Sequence, residues 1–137
     1  MTRSFITGAR LFLACGFISA VSGIARADAR SQLQQDVEGY AVATCLAAQN
    51  SDYLKDQGDG WASIIVQRGY GDVEDWQPLI DAVNSALKDG SVAVIKGDGT
   101  SSKQMPVFYC AEIIDQPKVR SAVDATMEKM KAAYEGR

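Results

Sequence analysis

Apolar residues recur along this chain at the three- and four-residue spacing of helix faces, in blocks separated by polar stretches that carry glycine. In DVEGYAVATCLAAQN, the residues Val37, Tyr40, Ala41, Thr44, Cys45 and Ala48 fall on one face, so Cys45 is expected to point into a core. SDYLKDQGDG is polar and turn-rich and reads as a linker or as first-turn charges; Asp52, Asp56 and Asp59 do not follow the alternating pattern of a calcium loop. GWASIIVQRGY then places Trp61, Ile64, Ile65 and Arg68 on one face and stops at Gly69. Ile64 to Val66 alone would suit a strand, and the flanking residues favour helix.

The next block has the strongest pattern. DVEDWQPLIDAVNSALKDG offers Asp72 or Asp75 as a cap, Pro78 in a first turn and Gly90 as a stop. Trp76, Leu79, Ile80, Ala82, Val83, Ala86 and Leu87 form a wide apolar stripe opposite Gln77, Asp81, Asn84, Ser85 and Lys88. A helix of this kind needs a partner surface to bury its stripe. SVAVI is a short apolar run, and KGDGTSSKQM reads as a flexible loop. VFYCAEII resumes as helix carrying Cys110, and Asp115 or Gln116 with Pro117 starts a last helix. Val119, Ala122, Val123, Thr126, Met127, Met130 and Ala133 form its inward stripe, with the methionines as core filler. The pattern predicts an all-α fold, a small compact helical domain of four to five helices.

The first 29 residues change the setting of that domain. MTRSFITGARLFLACGFISAVSGIARADA opens with Arg3 and Arg10, runs through an apolar stretch from Leu11 to Val21 and ends in small residues. This is the layout of a cleaved signal peptide over residues 1–29, with Ala27 as a second possible cut, and it predicts export and a mature domain of residues 30–137. Cys15 does not make it a lipoprotein, because Phe12-Leu13-Ala14 lacks the aliphatic residue wanted three positions before the cysteine. No later run is long or apolar enough to span a bilayer, so no membrane contact is expected after cleavage.

Two cysteines, Cys45 and Cys110, remain in the mature domain. In an oxidising compartment they read most simply as one disulfide, closing a loop of about 65 residues and contributing roughly 4 kcal/mol by chain entropy. Histidine is absent from the chain, which leaves a metal site short of ligands and a cysteine nucleophile without an imidazole base. No metal, cofactor or catalytic residue is expected. Paired carboxylates remain the route to acid–base chemistry. The acidic residues, however, fall mainly in loops and on solvent faces; Glu112 and Asp115, three apart, read as a solvated face and a helix cap.

Charge narrows the partners. Without Arg3, Arg10, Arg26 and Asp28, the 14 basic and 17 acidic residues of the whole chain become 11 and 16. An acidic domain argues against nucleic acid and anionic membrane as partners. Acidic residues crowd the span 36–89, whereas the span 118–137 is mildly basic. The stretch Gly97, Asp98, Gly99, Thr100, Ser101, Ser102, Lys103 and Gln104 lacks the GxxxxGK spacing of a phosphate loop and reads as an exposed surface loop available to a partner.

The order YAVATCLAAQN, WASIIVQRGY, PLIDAVNSAL and FYCAEIIDQPKVRSAV resembles the immunity proteins of type VI secretion amidase effectors over Gly39 to Ala125. Tyr40 and Cys45 match the aromatic-then-cysteine opening of that family, and Cys110, Glu112, Ile113 and Val119 match its second block. Phe108 and Tyr109 stand where the family often has methionine and lysine. The resemblance implies a periplasmic, all-helical, homodimeric protein without chemistry of its own. Its implied partner is a cell-wall amidase effector, a cysteine–histidine peptidase whose cleft it would occlude. The loop Gly97–Gln104 is then the expected insertion, with Asp98, Thr100 and Ser101 as polar contacts, and Tyr109 and the Asp72–Asp75 turn as alternatives. A small periplasmic helical chaperone or adaptor is the other reading; an enzyme would depend on Glu112 or Asp115.

Overall fold

Ser31 opens the first helix. Its hydroxyl oxygen accepts the Gln34 amide at 3.1 Å, covering one of the donors that a helix start leaves open. A computed structural model describes residues 30–96 and 102–136, so the expected signal segment 1–29 lies outside the described residues. Five α-helices run in the order α1 (Gln32–Ala47), α2 (Asp52–Arg68), α3 (Gln77–Asp89), α4 (Pro106–Ala111) and α5 (Pro117–Glu135). A two-stranded antiparallel hairpin, β1 (Val94–Lys96) with β2 (Ser102–Gln104), stands between α3 and α4. The fold is all-α apart from this hairpin. Among the described residues no helix is long and apolar enough to cross a membrane.

The central element is α1, which packs against α2, α3, α4 and α5. Four successive residues, Asp36 to Gly39, are buried, so this helix is enclosed on every side there. Val37, Ala41 and Cys45 meet Ile65 from α2, Leu79, Val83 and Ala86 from α3, and Val119, Val123 and Met130 from α5. Burial of each such large aliphatic side chain contributes roughly 1.5–3 kcal/mol. Tyr40 and Trp76 stack in tilted fashion, ring centroids 4.4 Å apart. Cys45 lies in the core as its spacing predicts, whereas Ala48 is exposed one turn later because α1 has ended at Ala47.

The stretch expected to be a linker is helix. Asp52 to Gly60 forms the first half of α2 in spite of its polarity and two glycines. Gly58 explains how. A Cβ there would fall 2.5 Å from the Ala43 carbonyl oxygen and closer still to Ala47 N, so the α1 and α2 backbones cross where only glycine fits. Gly60 has no such reason, since a Cβ there meets nothing within 4 Å. Gly58→Ala is therefore expected to lower stability by about 2 kcal/mol or more through overpacking, and Gly60→Ala to raise it by about 0.5–1 kcal/mol through helix propensity. Urea unfolding of the pair checks this; equal effects at the two glycines would contradict the crossing geometry. The α2 face also differs from expectation: Ile65 is buried, but Trp61 and Ile64 are exposed.

A 3₁₀ turn over Val73–Trp76 leads into α3, and the Asp72 amide donates to Asp75 Oδ2 at 3.3 Å. Pro78 sits in the first turn of α3 and Gly90 ends it, both as the sequence predicts. The inward stripe holds: Trp76, Leu79, Val83 and Ala86 are buried. Likewise α5 starts at Pro117 and buries Val119, Val123, Thr126 and Met130, while Ala133 is exposed. The run carrying Cys110 is helical only to Ala111; a 3₁₀ turn over Ile113–Asp115 follows. Glu112 is thus a helix C-cap and Asp115 sits 3.6 Å from Arg120, so the two do not make the shared helix face the spacing suggested.

Candidate protein-binding surface

Cys45 and Cys110 form the expected disulfide, with Cα atoms 5.5 Å apart, joining α1 to α4. Both cysteines are fully buried. The Gln49 side-chain amide lies over the bridge: it donates to the Cys45 carbonyl at 2.9 Å and stands 3.5 Å from Cys110 Sγ. This pins a helix of six residues that has Pro106 at its start and only Cys110 buried. Tyr109 turns inward, its hydroxyl 3.4 Å from the Ala86 carbonyl and 3.4 Å from the Gln116 amide nitrogen. Val107 and Phe108 are exposed.

The hairpin feeds directly into that helix. Val94 pairs with Gln104, Ile95 with Lys103 and Lys96 with Ser102, and Met105 N–H donates to the Ala93 carbonyl at 2.8 Å. The expected surface loop is corrected here: Ser102, Lys103 and Gln104 are strand residues, exposed as expected but held in register by β1. The physical reason is that SVAVI supplies β-branched residues able to pair across a glycine-containing connection. Gly97, Asp98, Gly99, Thr100 and Ser101 lie outside the described residues. The hairpin adds Val94 and Ile95, and α4 adds Val107 and Phe108; all four are about half exposed. As neighbours on a strand, Val94 and Ile95 face opposite sides of the hairpin, so exposed apolar side chains occur on both of its faces and again on α4.

No family model, curated protein or solved structure matches this chain. Its function must be argued from its own residues.

Most of the described acidic residues are exposed, as expected, but two on α1 are not. Asp36 is 0% exposed and Glu38 is also buried, both on α1. Asp36 Oδ1 accepts from Gln32 at 2.8 Å and from Arg68 Nε and Nη2 at 3.0 and 2.6 Å, and Oδ2 accepts from the Tyr134 hydroxyl at 3.0 Å. Glu38 accepts from Arg30, Gln34 and Arg120 at 3.0, 3.0 and 3.1 Å. Together the two carboxylates tie α1 to the end of α2, to α5 and to the residue ahead of α1. Burial and the Asp36 carboxylate both push the Tyr134 phenol well above its ordinary value. At Glu38 burial acts upward, but the hydrogen bonds from Gln34, Arg120 and Arg30 outweigh it and hold the carboxyl below its ordinary 4.5. Each acid is thus committed to cations and amides, which is a structural use. Among the described residues, no cluster of three or more acidic or cysteine side chains is placed to hold a metal.

A depressed carboxyl makes stability pH-dependent with a definite sign. The contribution of Glu38 is complete above its unfolded pKa and is lost as the pH falls through the lower folded value. Asp75, bonded to Lys129 and to the Asp72 amide, and Asp89, bonded to Lys118, are depressed in the same direction. The urea midpoint is expected to fall between pH 5 and pH 3 (about these values from the general linkage argument) and to fall less in Glu38→Gln. An identical pH profile in that variant would remove Glu38 from the account.

The Asp72–Asp75 turn, an alternative contact, is anchored by the Lys129–Asp75 ion pair at 2.6 Å, with Asp72 and Glu74 left exposed. Tyr109, the other alternative, is half-buried and occupied internally. The turn exposes one large apolar side chain, Val73, against four along the hairpin and α4.

Proposed function

We propose that this chain is an exported immunity-type protein that binds a peptidoglycan amidase effector of type VI secretion and blocks its cleft. The observation that carries this reading is the limb formed by β1, β2 and α4. Val94, Ile95, Val107 and Phe108 are all exposed along it, and a buried disulfide holds α4 to the central helix. A helix fixed in advance loses little conformational freedom on docking, so the contacts of Val107 and Phe108 convert more fully into affinity. Gly97 to Ser101 join the two strands in sequence and are the expected insertion, with Ser102, Lys103 and Gln104 paired beside them. The resemblance over Gly39 to Ala125 supplies the class of partner, a cysteine–histidine amidase, together with the periplasmic location and a homodimeric state.

The test is peptidoglycan hydrolysis by an amidase encoded beside this gene, with and without the protein, together with co-purification. Stoichiometric inhibition is the expected result. Phe108→Ser is expected to weaken the complex at least tenfold without lowering the melting temperature, since its side chain is exposed. Undiminished hydrolysis at excess protein would sink the reading, and capture of extended, unfolded chains instead would favour the chaperone or adaptor.

A further inference from the structure

Helix α2 packs chiefly on α1, and its opposite side carries an apolar stripe of its own. Tyr53, Gly60 and Ile64 follow one another at helical spacing, with Gln57 between them and Trp61 at the margin. Tyr53 is 71% exposed and Ile64 57%, values well above those of side chains resting on a fold. Gly58 and Ile65 occupy the side toward α1. Gly60 lies in the middle of the outer stripe, in a helix interior where glycine is unfavourable, and none of the described residues fills the space its missing side chain leaves. The contrast with Gly58 is informative. That glycine admits the α1 backbone, and Gly60 offers an equivalent notch to something outside.

The flanks of the stripe decide what that is. Asp52, Asp56 and Asp59 line one side, all exposed, and among the described residues none of them forms an ion pair. Lys55 is the cation beside them, and Arg68 on the other flank is committed to Asp36. We propose that the outer face of α2 is a docking site for a basic amphipathic helix of a partner protein, crossing closely at Gly60 between Tyr53 and Ile64 with its lysines or arginines toward Asp52, Asp56 and Asp59. Small residues at a crossing let helices approach at the short end of the usual 8–10 Å. A second copy of this chain suits the face poorly, because an antiparallel two-fold pair sets like flank against like flank and brings the aspartates together. An anionic membrane or nucleic acid is repelled by the same charges. This site lies on α2 rather than on the hairpin limb, and stands whether or not the limb binds an amidase.

The experiment titrates the full exported protein with an 18-residue synthetic helix, about five turns long, with an alanine–leucine face flanked by lysines, and with its glutamate counterpart. Trp61 reports binding through its emission, since the other tryptophan, Trp76, is buried. The lysine peptide is expected to shift that emission saturably and to bind more weakly in high salt. Gly60→Leu, which fills the notch, and the Asp56→Lys, Asp59→Lys double variant, which reverses the flank, are each expected to weaken binding at least tenfold. Thermal melts check that each variant is folded; if Gly60→Leu is not, the charge reversal decides. No saturable shift, equal binding of the glutamate peptide, unchanged affinity in a folded variant, or a dimer of the parent protein that Gly60→Leu disperses would each overturn the proposal.

Discussion

Cys110→Ser is expected to unfold at a much lower urea concentration than the parent chain, with a loss of about 4 kcal/mol. The closed loop spans 65 residues, long enough for the cross-link to remove substantial entropy from the unfolded chain. The folded side adds to this. α4 has six residues, too few to persist as an isolated helix, and Cys110 is its one buried side chain. A serine hydroxyl in that enclosed position also needs a hydrogen-bond partner, so the Cys45→Ala, Cys110→Ala double variant separates loss of the bridge from the cost of a buried hydroxyl. Hydrogen exchange should show Pro106 to Ala111 opening before the rest, and amidase binding should fail at temperatures where α1, α3 and α5 remain folded. A loss under about 1 kcal/mol would mean that the Ala86–Tyr109 and Met105–Ala93 contacts hold the limb without the bridge.

The helices that bury one face were legible because a single stripe must match a single period. Leu79, Val83 and Ala86 identify α3, and Val119, Val123 and Met130 identify α5, from spacing alone. The same rule fails at α1, where Asp36 and Glu38 are as enclosed as Val37, because a helix surrounded by neighbours has no solvent face to which its acids can be assigned. It fails again at Asp52–Gly60. Local composition there speaks for a turn, and the reason for helix is the backbone of α1, distant in sequence from Gly58 until the chain folds. Strand pairing in the hairpin is likewise non-local: Val94 acquires its register only from Gln104. Of the candidate surface, the spacing located the exposed Ser102–Gln104 stretch and the anchoring cysteine. The spacing assigned Phe108 and Val107 to neither side, because an apolar pair on so short a helix gives no period to tell inside from outside.

The buried acid Asp36 yields the second large effect. Asp36→Ala is expected to cost about 3 kcal/mol, because three elements converge on one carboxylate: Gln32 from α1, Arg68 from the end of α2 and Tyr134 from α5. Asn in its place can keep an oxygen toward Arg68 and turn its NH2 to the Tyr134 hydroxyl, but it leaves the guanidinium without a countercharge, so Asp36→Asn should recover only part of the loss. The reciprocal change is more discriminating. Arg68 is half exposed and, once freed of Asp36, can hydrate; the carboxylate without Arg68 stays enclosed and keeps only neutral donors. Arg68→Leu should therefore cost at least as much as Asp36→Ala, because it leaves an uncompensated charge in the core. Urea unfolding of the two variants makes the comparison. A loss of about 3 kcal/mol or more in Arg68→Leu would establish that Arg68 neutralises a charge within the helical core. A loss under about 1 kcal/mol would mean that water already reaches Asp36 and that the convergence of α1, α2 and α5 depends on their apolar residues alone.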